Sequence, residues 1–101
     1  MPSSPNPLGP VHPGEILREE FLAELNLTPY RLAAALKVPR TRIERLAREE
    51  GPVTSDTALR LGRYFGTTAE FWLGLQARYD IETLAPKLAG ELAEIAPRER
   101  A

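Results

Sequence analysis

Basic side chains are concentrated in one short stretch of this chain of 101 residues. Residues 28–48 hold six basic residues against one acid, a net charge of +5, although the whole chain carries −1. The six are Arg31, Lys37, Arg40, Arg42, Arg45 and Arg48. Arginine can donate two hydrogen bonds, to O6 and N7 of guanine, and both arginine and lysine neutralise phosphates. The stretch therefore predicts contact with nucleic acid, because of where its charge lies.

Four of these arginines fall in a predicted helix that runs from Arg40 to about Arg48. At about 100° per residue, the apolar side chains of this helix lie within one arc and pack inward. They are Ile43, Leu46 and Ala47. Thr41 and Arg45 lie near the centre of the opposite arc, so the exposed face of the helix is the one rich in arginine.

The exposed face predicts which side chains read bases. We expect base contacts from Thr41, Arg42 and Arg45, while Arg40 suits either a base or a phosphate. Glu44 can accept a hydrogen bond from cytosine N4 or orient a neighbouring arginine. The alternative interpretation is that these arginines are ordinary solvated surface charges.

A second short helix is predicted just before the arginine-rich one. Thr28 is expected to cap it, Pro29 to occupy its first turn, and the helix to run from Tyr30 to about Leu36. Residues 37–39 form the turn, since a proline at 39 cannot lie inside a helix. This is the layout of a helix-turn-helix, whose second helix enters the DNA major groove. Residues suited to phosphates are Thr28, Tyr30, Arg31 and Arg48.

Three further helices complete a predicted all-α fold. They cover about 13–26, 54–66 and 67–80, and each boundary has a suitable capping residue. A separate short helix is expected at about 84–94, because Pro86 interrupts the apolar pattern.

These elements divide the chain into three parts. Residues 1–12 carry four prolines and predict a flexible arm, either a passive tail or a segment that orders on a partner. Residues 13–80 form the helix-turn-helix domain, with Leu25 and Leu59 among its inward-facing side chains. Residues 81–101 form a helical extension whose apolar stripe must fold back or pair with a second subunit.

Several other classes of protein are not favoured by this sequence. There is no cysteine, so no disulfide framework or thiolate metal site is expected. No 18-residue apolar run predicts a membrane span, and no secretory signal pattern begins the chain, so a cytoplasmic protein is expected. The single histidine, His12, has no metal-ligand cluster, phosphate loop or nucleophile motif around it. We therefore expect neither an enzyme nor a cofactor.

Two segments resemble a known family, the HigA antitoxins of bacterial toxin–antitoxin pairs, within the Xre/Cro-type helix-turn-helix group. They are HPGEILREEF at 12–21 and TALRLGRYFGTTAEFWLGLQ at 57–76, and the likeness covers roughly 12–82. It implies a homodimer, bound to an operator upstream of its own operon, that also neutralises a HigB toxin, a RelE-like ribonuclease acting on messenger RNA. Two departures are Lys37, where the family has glycine, and an acidic loop at 49–51, where a basic one is usual.

The resemblance also implies roles for individual residues. Operator-reading positions match Pro39, Arg40, Thr41, Arg42, Glu44 and Arg45, and backbone contacts match Thr28, Tyr30 and Arg48. Dimer contacts are expected at Trp72, Leu75, Tyr79, Leu84 and Leu88, with the alternative that these pack within one chain. Two other functions stay open, a repressor of the same fold without a toxin partner, and a protein-binding module whose arginines contact an acidic protein.

Overall fold

The computed structural model describes residues 9–99, and this part of the chain contains five helices. Helix α1 combines Pro13–Ile16, a π-helical segment Leu17–Leu22, and Ala23–Leu25; α2 is Pro29–Leu36, α3 is Arg40–Ala47, α4 is Ser55–Phe65 and α5 is Ala69–Ala93. No strand occurs within 9–99. The predicted all-α fold of five helices is confirmed. Most of the expected arm, residues 1–8, lies outside the described range.

Threonine side chains begin three of the helices. The Oγ1 atoms of Thr28, Thr54 and Thr68 accept hydrogen bonds from backbone N–H groups three residues later, at 3.1, 3.3 and 3.0 Å. Each bond satisfies one of the N–H groups that a helix start leaves without a partner. Thr28 is the cap expected from the sequence, and Thr54 and Thr68 are each one of the two residues that the sequence offered as a cap for the later helices.

The C-terminal ends of four helices use left-handed backbone. The residues concerned are Asn26, Lys37, Glu49 and Gly66, with φ of 51°, 64°, 64° and 74°. This conformation lets N–H groups beyond the helix bond to its last carbonyls. Lys37, where the related family has glycine, therefore occupies backbone that favours glycine.

The core lies where α1, α4 and the first turns of α5 meet the helix pair α2–α3. Its fully buried members include Leu17, Leu32, Ile43, Leu46, Leu61 and Trp72. Trp72 is the largest of them, and its Nε1 donates to Thr67 Oγ1 at 2.8 Å, which satisfies its one polar group. The ring centroids of Phe21 and Trp72 lie 5.0 Å apart. Aromatic packing thus joins α1 to the start of α5.

Two side chains expected in the core are exposed, Leu25 by 57% and Leu59 by 65%. In α1 the π-helical hydrogen bonds span five residues, which brings Leu17 and Leu22 onto the buried face and turns Leu25 to solvent. In α4 the core face includes Ala58, and its neighbour Leu59 lies about 100° away around the helix. Both expectations were wrong, that for Leu25 because of the π-helical segment and that for Leu59 because it lies outside the buried arc of α4.

Helix α5 is continuous from Ala69 to Ala93 and contains Pro86. The expectation that it ends at Asp80 and is followed by a separate helix at 84–94 was wrong. A proline removes one backbone donor, and at an exposed position a helix tolerates this loss with at most a bend. Residues 81–93, the distal half of α5, project from the core and expose Ile81, Leu84 and Leu92. No helix in 9–99 is long and apolar enough to cross a membrane.

Candidate nucleic-acid interface

The turn between α2 and α3 is built by backbone hydrogen bonds. The N–H of Lys37 donates to the carbonyl of Ala34 at 3.2 Å, and that of Val38 donates to Ala33 at 3.1 Å. Ala33 is buried, as expected of a small residue where two helices cross closely. Pro39 is extended and precedes α3. The turn therefore fixes the angle at which α3 leaves α2.

Helix α3 is anchored by the three apolar residues predicted for its inner face. Ile43, Leu46 and Ala47 are all buried. From α1, Arg18 Nη1 donates to the carbonyl of Ala47 at 2.6 Å, close to the C-terminal end of α3. A Cβ added to Gly14, also in α1, would overlap the carbonyl oxygen of Leu46. The backbones of α1 and α3 thus touch, and α3 has little freedom to shift.

The opposite side of α3 carries the predicted interface. Nine of the ten side chains expected to contact DNA are exposed and Glu44 is half-buried. They are Thr28, Tyr30, Arg31, Pro39, Arg40, Thr41, Arg42, Glu44, Arg45 and Arg48. The structure brings them to α2, the turn and the outer face of α3, so one continuous basic surface results.

The arginines of α3 are held by other groups of the same chain. Arg40 pairs with Glu44 at 3.5 Å, and its guanidinium lies 5.7 Å from the ring centre of Tyr30. Arg45 donates to the carbonyl oxygen of Glu50 at 3.1 Å. Arg48 pairs with the Glu50 carboxylate at 3.2 Å. The surface is therefore less positive than a count of its arginines indicates.

Arg42 has a partner that the sequence did not reveal. Its Nη1 donates to Asp56 Oδ1 in α4 at 2.7 Å. Hydrogen bonds from Arg60 and Arg42 hold the pKa of the Asp56 carboxyl below its ordinary value, so this carboxylate is charged at neutral pH. The only signal in the sequence was an acid in the first turn of α4, a position that the helix dipole also favours.

The acidic loop after α3 also has defined partners. Glu49, in left-handed backbone, pairs with Arg18 of α1 at 3.0 Å, whereas Glu50 contacts Arg45 and Arg48. These acids therefore stabilise the end of α3 and contribute no positive charge for phosphates.

His12, expected to belong to the flexible arm, is part of the folded domain. It is buried, and its Nδ1 accepts a hydrogen bond from the N–H of Gly14 at 2.8 Å, which caps α1. Its ring packs edge-on against that of Tyr79, with the centroids 4.7 Å apart. The boundary of the domain therefore lies before residue 12.

The residues expected at a dimer contact divide into two groups. Trp72 is fully buried in the core of its own chain, so assigning it to a dimer surface was wrong. Leu75, Tyr79 and Leu88 are half-buried, and Leu84 is 50% exposed. The latter four lie along α5, where the structure leaves apolar surface available to a second chain.

Together, these features define a class of protein. The structure has five helices, a tight turn between the second and third, and an exposed basic face on the third. This combination is that of an Xre-type helix-turn-helix protein.

Comparisons with known proteins define the family. No family model matches the sequence. The chain is 48% identical over 82 residues to virulence-associated protein I of Dichelobacter nodosus, covering 81% of this chain and 76% of that protein. It is 38% identical over 72 residues to antitoxin HigA-1 of Vibrio cholerae, covering 71% and 68%. The structure of Pseudomonas aeruginosa antitoxin HigA with the higBA promoter superposes with a TM-score of 0.84 at 44% identity, covering 89% of this chain and 99% of that one. The chain belongs to the HigA family of helix-turn-helix antitoxins.

Proposed function

We propose that this protein is an antitoxin and autorepressor, which binds the operator of its own operon as a dimer and neutralises a HigB-type toxin. The observation that carries the proposal is the exposed arginine face of α3, fixed by three buried side chains, in a chain 44% identical to a HigA antitoxin solved with promoter DNA. The relatives include an antitoxin and transcriptional regulators of the helix-turn-helix type.

The exposed basic face of α3 supports its insertion into the major groove. Thr41 and Arg45 are exposed on the side of α3 opposite its buried residues, so they face bases when that side enters the groove. Arg40 and Arg42 flank them and reach bases or the adjoining backbone. The N-terminus of α2, with Thr28 as its cap, presents N–H groups that attract phosphate.

Two copies of the chain are required for a palindromic operator. A helix-turn-helix dimer reads half-sites about one turn of DNA apart, roughly 34–36 Å. Leu84 and Leu88 lie on the distal half of α5, which makes few contacts with its own core. Burying their stripe against the same stripe of a second copy gives an interface in which both chains use the same residues.

The test of DNA binding is Arg45→Ala, with Arg63→Ala as the matched control. Removing Arg45 should weaken operator binding by about 1–3 kcal/mol and relax the preference at one base position. Arg63 is an exposed arginine on α4 that is not among the ten residues proposed to contact DNA, and its loss removes the same charge. Binding is measured by fluorescence anisotropy on the DNA upstream of the gene, at fixed salt. If both variants bind equally well, α3 is not the recognition helix.

Toxin neutralisation needs its own experiment. The product of the neighbouring gene is tested for messenger-RNA cleavage, alone and with increasing amounts of this protein. Inhibition at a fixed stoichiometry, together with a stable complex by size-exclusion chromatography, is the expected result. A protein that binds its operator yet leaves the neighbouring product active and unbound would instead be a repressor without a toxin partner.

A further inference from the structure

One carboxylate oxygen connects three helices next to the recognition surface. Asp56 Oδ1 accepts hydrogen bonds from Arg42 of α3 and from Arg60 of α4, both at 2.7 Å. Arg60 in turn donates from Nη1 to the carbonyl oxygen of Leu36, the last residue of α2, at 2.8 Å. A single acid in the first turn of α4 thus fixes a side chain of the recognition helix relative to both neighbouring helices.

The pairing with Asp56 restricts the directions in which Arg42 can donate hydrogen bonds. Its Nη1 is directed at Asp56 and lies 3.5 Å from Thr57 Oγ1, and Thr57 is buried and cannot move away. The other N–H groups of the Arg42 guanidinium therefore point in one fixed direction, in which they are free to donate hydrogen bonds. An arginine without such a partner samples many rotamers and can pair with whichever phosphate is nearest, in DNA of any sequence.

We propose that Asp56 is a specificity-determining residue of the DNA interface. It offsets part of the charge of Arg42 and holds the side chain in one direction, so that Arg42 adds less to the binding of random DNA. In the operator complex the fixed guanidinium is already placed, and its ordering costs no further entropy. Asp56 therefore lowers the affinity for random duplex more than the affinity for the operator. This inference rests on the proposed function of operator binding.

The experiment compares the wild-type protein and Asp56→Asn on two duplexes, the upstream operator and a random sequence of equal length. Each neutralised phosphate steepens the plot of log K against log salt by about 0.9, so this slope for random duplex should increase by about that amount in the variant. Random-duplex affinity should rise about fivefold near 0.1 M salt, with operator affinity changed less than about twofold, so the specificity ratio falls.

Two controls separate this effect from a general change of charge. Glu70→Gln removes the same charge from the same place in a helix, the first turn of α5, and should leave the slope unchanged. In an Arg42→Gln background, Asp56→Asn should also leave the slope unchanged, because the arginine of α3 that it would release is absent and Arg60 is still bonded to the carbonyl oxygen of Leu36. If Asp56→Asn does not fold, as judged by circular dichroism, Asp56→Ser replaces it, since serine also suits the start of a helix.

The outcomes are distinguishable. A steeper slope that depends on Arg42 and is absent in Glu70→Gln supports the proposal. An unchanged slope in Asp56→Asn, or an equal change in Glu70→Gln, overturns it while leaving operator binding intact. A wild-type protein that binds operator and random duplex equally would refute the proposed function, and this inference with it.

Discussion

Replacing Gly14 by alanine tests how tightly the recognition helix is held. A Cβ at this position would overlap the carbonyl oxygen of Leu46 and lie 3.0 Å from its carbonyl carbon, which are backbone atoms that cannot change rotamer. The backbones of α1 and α3 must therefore separate, which disturbs the packing of Leu17 and Leu46. Forcing extra volume into a packed core costs about 1–3 kcal/mol, and backbone overlap places this case at the upper end. At about 4–8 °C per kcal/mol, the melting temperature should fall by about 15 °C.

The matched control is Gly74→Ala. Gly74 lies in α5 with nothing within 4 Å of the position that a Cβ would take, so alanine there gains helix propensity, about 0.5–1 kcal/mol, without a clash. Both variants are compared by thermal unfolding at one protein concentration, followed by circular dichroism. Equal stability of Gly14→Ala and the wild-type protein would refute the close approach of α1 to α3.

Two further predictions concern α5 and the cap of α1. Changing both Leu84 and Leu88 to glutamate should convert the dimer to a monomer with native helix content, because the glutamates of the two chains would face each other across the stripe. Light scattering measures the mass of the particle in solution. A variant that stays dimeric would place the interface elsewhere. Burial lowers the pKa of His12, although the nearby carboxylates of Glu49 and Asp80 partly offset this effect. Its neutral form is thus favoured in the folded state, and its contribution to stability is complete above pH 6.5 and declines as pH falls below that value toward the lowered pKa. Urea unfolding from about pH 8 to about pH 5 should show a loss of stability that is smaller in His12→Asn, a cap without this titration.

The sequence predicted local features of the fold well. Thr28, Thr54 and Thr68 cap helices because their hydroxyls reach N–H groups only three residues away, a distance set by helix geometry alone. The inner face of α3 followed from helical periodicity, and the structure buries all three predicted residues. Features that depend on a few neighbouring residues were therefore accessible.

Features that depend on residues distant in the chain could not be predicted from the sequence. The partner of Arg42 lies 14 positions along the chain, and nothing local to α3 specifies that an acid will meet it. The π-helical segment of α1 changes which leucines face inward, and no local residue pattern signalled it. Pro86 predicted a break, but whether a helix tolerates proline depends on what surrounds the lost hydrogen bond. By contrast, the pair Arg40–Glu44 lies within one turn of α3, and Glu44 was expected either to orient a neighbouring arginine or to contact cytosine.

The left-handed C-terminal ends of the helices leave room for the protein to become more stable. Of the four residues concerned, only Gly66 is a glycine, and a non-glycine residue in this conformation costs about 1–2 kcal/mol. Lys37→Gly should therefore raise the free energy of unfolding by about 1 kcal/mol, measured by urea denaturation, while operator affinity stays within about twofold. Glu49 is less free to change, because its carboxylate holds Arg18. An evolving lineage could thus offset a destabilising change in the base-reading side chains by one substitution in the turn, and acquire a new operator without losing its fold.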